Sequence, residues 1–197
     1  MSYKGDYAGT VFVENEQYAL RFLQDSDKDD FMRTQIQNSN IPRAYEMDGF
    51  AEYVWKSTPE DSEWIFCIIE KATNTYNGFC NLRYIDTPTP EIGINLPKEF
   101  QCKGIGCQAL TLLMHTYQTV RCVDYFIAKV RSDNTHSQHL MDKLHAVQTG
   151  REDSEFKQAI RQLTNLPSEL KVYEVRTKAG TMQDEDYILV YHIKPEF

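Results

Sequence analysis

The 197-residue chain predicts a single domain of the α/β (α+β) class, with a mixed, mostly antiparallel sheet of about seven strands flanked by helices. Two observations lead there. The residues are 41% hydrophobic and 12% aromatic, enough to bury a core, and no internal repeat, low-complexity tract or linker divides residues 1–197. Period-two apolar stretches also take turns with stretches of helical spacing, in the order β-α-α-β-β-β-α-β-α-(α)-β-β.

"YALRFL" (18–23) alternates as a strand, and "DSDKDD" after it offers N-cap oxygens and acidic groups suited to the positive end of a helix. Phe31, Met32, Gln35 and Ile36 line one side of that helix until "NSNIPRA" breaks it. A second helix, within "YEMDGFAEYVWKS", groups Tyr45, Phe50, Tyr53 and Val54. "EWIFCIIEK" (63–71) and "FCNLRYI" (79–85), joined by "ATNTYNG", read as an antiparallel hairpin, and "EIGINL" (91–96) as a short strand closed by Pro97. Ile105, Ala109, Leu112, Leu113 and Tyr117 then recur at helical spacing to about Val120. "DYFIAKV" (124–130) is a strand, and "SDNTHSQHLMDKL" is a capped helix with Leu140 and Leu144 inward. "REDSEFKQAIRQL" (151–163) is an added helix with one apolar stripe, Phe156, Ile160 and Leu163, in a helical segment near 151–166 that Pro167 helps to stop. "KVYEVRT" and "YILVYHIK" close the sheet around the polar loop "KAGTMQDED".

A formal charge of −8 argues against nucleic acid as a partner, because such binders neutralise phosphates with clustered Lys and Arg; a cationic or amine-bearing partner suits it better. No apolar run reaches the roughly 18 residues that span a bilayer. "MSYKGDYAGT" lacks the apolar stretch of a signal peptide, so a soluble cytoplasmic protein with no membrane partner is expected. Five cysteines, Cys67, Cys80, Cys102, Cys107 and Cys122, form no CxxC pair and read as reduced, packing thiols. Cys102 and Cys107 flank a glycine turn before a helix, where a thiol's pKa falls, so a nucleophilic cysteine is the alternative.

That turn, "EFQCKGIGCQAL" (99–110), carries the chemistry. Gly104 and Gly106 at a helix start suit an anion, since unpaired N–H groups and the helix dipole point outward and a missing Cβ lets a phosphate approach the main chain. A pyrophosphate ligand fits, and a plain tight turn fits as well. "GIGCQA" also satisfies G-x-G-x-x-A, with Asp133 near the place of a ribose-binding acid. That fingerprint requires a parallel βαβ unit, whereas this turn follows a meander of antiparallel strands. No Walker A motif is present.

In order and spacing together, the chain resembles the GNAT superfamily of N-acetyltransferases, whose acetyl-CoA loop is Q/R-x-x-G-x-G/A after the strand that Glu91 opens. Gln101, Cys102, Lys103, Gly104, Ile105 and Gly106 match it in full. "YALRFLQDSDKDDFM" is similar to the opening of the branch containing ribosomal-protein N-terminal acetyltransferases, as is the pattern N-x-x-S-x-x-L-x-x-K-L in Asn134, Ser137, Leu140, Lys143 and Leu144. The resemblance covers about residues 17–145 and resumes in the last two strands.

It implies a GNAT-like domain that uses acetyl-CoA as co-substrate, without a metal, to acetylate a primary amine on a small molecule or a peptide N-terminus. Backbone of Ile94, Asn95 and Leu96 would hold the pantetheine, and the amides from Cys102 to Gly106, with Cys107 an addition, the pyrophosphate. Lys103 would add charge or stand solvated. Glu91 matches the position where several members carry a glutamate that acts as base directly or through water, as a lysine-like amine with a pKa near 10.4 requires, or it is simply a solvated or salt-bridged strand end. Ser137 would hydrogen-bond the leaving sulfur and Asn134 the pantetheine, or both simply cap a helix. Met141 stands where many members have a proton-donating tyrosine, and His145-Ala146 replaces the usual Gly-Phe. These departures favour the alternative of a non-catalytic acyl-CoA-binding sensor or interaction module. His136, His139 and Asp142 lack metal-ligand spacing. Glu46, Asp48, Glu52, Asp184, Glu185 and Asp186 would form an acidic mouth for a cationic acceptor. The added helix would cover one edge of the acceptor cleft, bind a second subunit of a homodimer, or simply pack.

Overall fold

The computed structural model describes residues 7–58, 62–153 and 187–194. Two compact units are present, Met1–Ala128 with Ile193–Phe197, and Lys129–His192. The first contains β1 (Val11–Glu14), β2 (Tyr18–Phe22), α1 (Lys28–Asn38), α2 (Phe50–Ser57), β3 (Glu63–Glu70), β4 (Thr75–Arg83), β5 (Glu91–Asn95) and α3 (Ile105–Val120). β6 (Phe126–Arg131) starts in the first unit and ends in the second, which also holds α4 (Thr135–Lys143), β7 (Val147–Asp153) and most of β8 (Tyr187–Ile193). The sheet is mixed and mostly antiparallel, with eight strands among the described residues.

In the first unit β1 to β5 pair consecutively and antiparallel, and β5 pairs parallel with β6. Side chains alternate across this sheet, so each face builds its own core. Under α1 and α2 lie Leu23, Phe31, Met32, Trp55, Ile65, Cys67, Tyr76 and Phe79. The opposite face is aromatic: Phe22 and Phe66 rings sit 4.7 Å apart, and Trp64 meets Tyr117 of α3 edge-on at 5.8 Å. Tyr117 is fully buried, and its hydroxyl donates to the Ile85 carbonyl at 2.6 Å, which pins α3 to the loop after β4. Cys67 and Cys80 are buried and burial pushes both thiols up, as suits packing residues, whereas Cys102 and Cys122 are exposed; all five are free.

Strand β1 is absent from the sequence reading, which opens the sheet at residue 18. The reason is the turn: the Asn15 side-chain oxygen accepts from the amides of Gln17 and Tyr18, both at 2.8 Å, so polar "NEQ" is a tight hairpin rather than a loop.

In the second unit β8 lies between the end of β6 and β7, and β7 and β8 pair antiparallel from Val147↔His192 to Asp153↔Tyr187. This corrects the added helix at its start: residues 151–153 end a strand. The rest of the expected helical segment, to residue 166, lies outside the described residues, as do "KVYEVRT" and "KAGTMQDED". β7 escapes sequence reading because it is exposed along most of its length and shows no apolar alternation; its register comes from β8 and from the Arg151 guanidinium 4.5 Å over the Tyr187 ring.

Helix α4 ends in a Schellman motif, with the His145 amide donating to Asp142 (3.1 Å) and the Ala146 amide to Met141 (3.0 Å). His145 takes the left-handed conformation there, φ +53°, and its side chain is exposed. The glycine that the resemblance expects at this place would adopt that angle without strain. His145→Gly is therefore expected to stabilise the protein by about 1 kcal/mol, read as a higher urea midpoint at unchanged m-value.

Candidate active site

Strand β5 pairs with β4 along its whole length, Arg83↔Glu91 to Phe79↔Asn95. Its parallel register with β6 ends after Glu91↔Ile127 and Ile92↔Ala128. Among the described residues Gly93, Ile94 and Asn95 therefore have no ladder partner on that side, and all three are partly exposed, as is Leu96. An extended ligand bearing amides can add to such an edge as another strand does.

The chain then turns at Pro97 and Lys98–Phe100 into the glycine loop. Cys102 (φ +59°) and Gly104 (φ +83°) are both left-handed, and Gly104 is the N-cap of α3. Among the described residues no side chain caps this 16-residue helix, so the amides of its first turn, beginning at Ile105, Gly106 and Cys107, are left for an outside acceptor. A Cβ at Gly104 would meet nothing within 4 Å, leaving its surroundings open to an anion. Ile105 and Gly106 are buried, so they reach a ligand through the backbone alone. The Lys103 ammonium sits over the Phe100 ring, 5.6 Å from its centroid.

Gln101 has an internal role. Its Nε2 donates to the Leu96 carbonyl at 2.9 Å and to Asn38 Oδ1 at 3.4 Å. Asn38 Nδ2 donates to the same carbonyl at 3.1 Å, and Gln37 Oε1 accepts from the Lys98 amide at 3.3 Å. Sequence reading missed Gln37 and Asn38, because an amide at a helix end reads as an ordinary terminal polar group.

Glu91 is a salt-bridged strand end: its side chain is 14% exposed, and Arg83 Nη1 lies 3.5 Å from its Oε1. Arg83 Nε also reaches Glu63 Oε1 at 3.1 Å, and Asn81 Nδ2 donates to that oxygen at 2.5 Å. Glu63, Arg83 and Glu91 are register partners across β3, β4 and β5. Gly93 leaves room for Asn81 Oδ1, which a Cβ would strike. The sequence carries a signal for this row, since Glu63, Asn81 and Arg83 interrupt apolar strands on one face at period two.

In the second unit, Asn134 Oδ1 accepts from the Ser137 amide at 3.0 Å, so Asn134 caps α4, while Ser137 is partly buried. Met141 is buried on the same helix. Asp133 is held bidentately by Arg131 at 2.9 and 2.7 Å, and that hydrogen bonding lowers its carboxyl below the usual range. With β4 and β5 antiparallel, no doubly wound dinucleotide fold forms. Among the described residues, no group of three or more His, Cys, Asp or Glu is placed to hold a metal, and no helix is long and apolar enough to cross a membrane.

Of the acidic mouth, Glu46 and Asp48 are exposed. Glu52 binds Lys28 at 2.5 Å and Lys56 at 3.5 Å, and the Lys28 hydrogen bond lowers its carboxyl below the usual range. Asp184, Glu185 and Asp186 lie outside the described residues.

A family model described as an acetyltransferase (GNAT) domain matches residues 14–147. The chain belongs to the GNAT acetyltransferase family. GNAT proteins take acetyl-CoA as co-substrate, and the uncapped α3 start with its left-handed glycine fits that ligand's diphosphate. No curated protein matches the chain significantly. Many solved structures share the fold, among them three acetyltransferases. A chimera of the Vibrio cholerae spermidine N-acetyltransferase SpeG with hSSAT has a TM-score of 0.65 at 18% identity over 90% of this chain and 95% of its own. The spermidine N-acetyltransferase from Vibrio cholerae in complex with CoA and spermine has a TM-score of 0.63 at 17% identity over 92% and 97%. A GNAT-family acetyltransferase from Bacillus anthracis has a TM-score of 0.64 at 15% identity over 94% and 99%. None of these three is a ribosomal-protein acetyltransferase by its description.

Gly104→Ala is expected to destabilise the protein by about 1 kcal/mol through its left-handed φ. It should also weaken CoA binding about tenfold by crowding the anion approach, read by isothermal titration.

Proposed function

We propose that this GNAT protein moves the acetyl group of acetyl-CoA directly to a primary amine on a small cationic molecule. The observation that carries the reading is the succession of two unpartnered backbone stretches, the β5 edge past Ile92 and the first turn of α3. They suit an amide-bearing arm and the diphosphate that follows it. In this reading residues 1–197 form one N-acetyltransferase domain, with an added segment near 151–166.

Backbone of Ile94, Asn95 and Leu96 binds the pantetheine arm, and the amides from Cys102 to Gly106, with Cys107, bind the pyrophosphate. Glu91 accepts a proton from the ammonium of the acceptor, which has to be neutral to attack. The new C–N bond forms as the C–S bond breaks, the electron pair leaves on sulfur, and the proton still carried by the acylated nitrogen passes to the departing thiolate, which leaves as the thiol of CoA. Ser137 donates a hydrogen bond to that sulfur, and Asn134 orients the pantetheine. A thiol has a pKa near 8.5, so a thiolate is a tolerable leaving group near neutral pH even with Met141 in the place of a tyrosine.

The acceptor class follows from charge. Exposed Glu46 and Asp48 and a net charge of −8 draw a cation, and one protein of similar fold is described in complex with spermine. A peptide N-terminus is the competing acceptor. A panel of polyamines, aminoglycosides and peptides assayed by thiol release separates the two, and turnover confined to peptides would refute the small-molecule acceptor. Glu91→Gln should lower kcat by about 10²- to 10⁴-fold while CoA binds within twofold of wild type. Unchanged turnover would remove Glu91 from the reaction.

A further inference from the structure

We infer that Asn38, the last residue of α1, is a positioning residue for the acetyl-CoA turn, setting its shape through the Leu96 carbonyl; this rests on the acetyl-CoA reading above. Leu96 is the point where β5 becomes the turn, and the next residue, Pro97, has no N–H with which to anchor the peptide between them. The orientation of that peptide therefore depends on what its carbonyl accepts. A carbonyl oxygen has two lone pairs, and here two side-chain amides fill them, Gln101 Nε2 at 2.9 Å and Asn38 Nδ2 at 3.1 Å.

The neighbouring peptides are held as well. Gly78 (φ +131°) lets the Asn95 carbonyl come closer than any Cβ would allow, and Gln37 takes the Lys98 amide. The last turn of α1 thus supplies two of the ties that aim the β5 edge and the loop leading to α3.

Asn38 has its side-chain polar atoms engaged inside the protein. Nδ2 also donates to the Thr34 carbonyl at 2.8 Å, and Oδ1 accepts from Gln101 at 3.4 Å. It acts on a ligand through Leu96 and Gln101. Asn38 is also exposed, so its truncation removes little packing. Loss of global stability and loss of turn geometry are therefore separable in one variant.

The test is isothermal titration of the full chain with CoA, alongside melting of the ligand-free protein and acetyl-CoA kinetics. Asn38→Ala should weaken CoA binding about five- to tenfold, the worth of one such hydrogen bond, and raise KM for acetyl-CoA by a similar factor with kcat within twofold. Its ligand-free melting temperature should fall by less than about 4 °C. Asn38→Asp, which keeps the size but turns a carboxylate toward the Leu96 carbonyl, should bind CoA at least as weakly. Wild-type affinity in Asn38→Ala, with wild-type protein binding CoA normally, overturns the role of Asn38 alone. Wild-type protein that does not bind CoA overturns the acetyl-CoA reading and this inference with it. If Asn38→Ala fails to fold, Gln101→Ala reads the same carbonyl, and unaltered CoA affinity there overturns the inference.

Discussion

Backbone groups left without partners organise this molecule. A polypeptide satisfies its amides and carbonyls wherever it can, since an unpaired buried group costs about as much as a lost hydrogen bond. Here the β5–β6 ladder stops at Ile92↔Ala128, and one loop later α3 begins with no side-chain cap. Both sets of groups stay where solvent or a ligand can satisfy them. The rest of the first unit keeps those groups in place. Two cores clamp the sheet from opposite faces, Tyr117 ties α3 to the loop after β4, and the Leu96 carbonyl is held by two amides.

Charge is arranged on the same elements with a different logic. Glu63, Arg83 and Glu91 form a row in which one exposed guanidinium serves two poorly exposed carboxylates, and Asn81 donates to the Glu63 oxygen that Arg83 also binds. At the surface, Glu52 is answered by Lys28 and Lys56, so the charge facing solvent on that helix pair is smaller than a count of acidic residues suggests. The field available to attract a cationic amine rests on residues such as Glu46 and Asp48.

How much of this was legible in the sequence depends on whether a residue's role constrains its type. The glycine turn was legible because a left-handed N-cap with open surroundings selects glycine, and Gly104 occupies that angle. The β-meander was legible because buried strands show in apolar residues, as in "EWIFCIIE". β1 was hidden by a side-chain turn at Asn15, and β7 by exposure that leaves no apolar period; a helical pattern starting at Arg151 overran the end of that strand. Gln37 and Asn38 were hidden because their partner, the Leu96 carbonyl, is 58 residues from Asn38 along the chain, a distance over which a single sequence records no pairing. The sequence leaves Asn134 two roles, and its capping role is visible in the bond it accepts from the Ser137 amide.

Whether the Gln101–Gly106 turn receives the diphosphate of CoA is read by thermal unfolding of the whole chain with acetyl-CoA, CoA and NAD in parallel. A ligand at about a hundred times its Kd stabilises by roughly 2.7 kcal/mol, a melting shift of about 5–10 °C for a chain of this size. That shift is expected with acetyl-CoA and CoA and none with NAD. No shift with either the thioester or the thiol form, or a shift with NAD alone, would refute a CoA-binding turn.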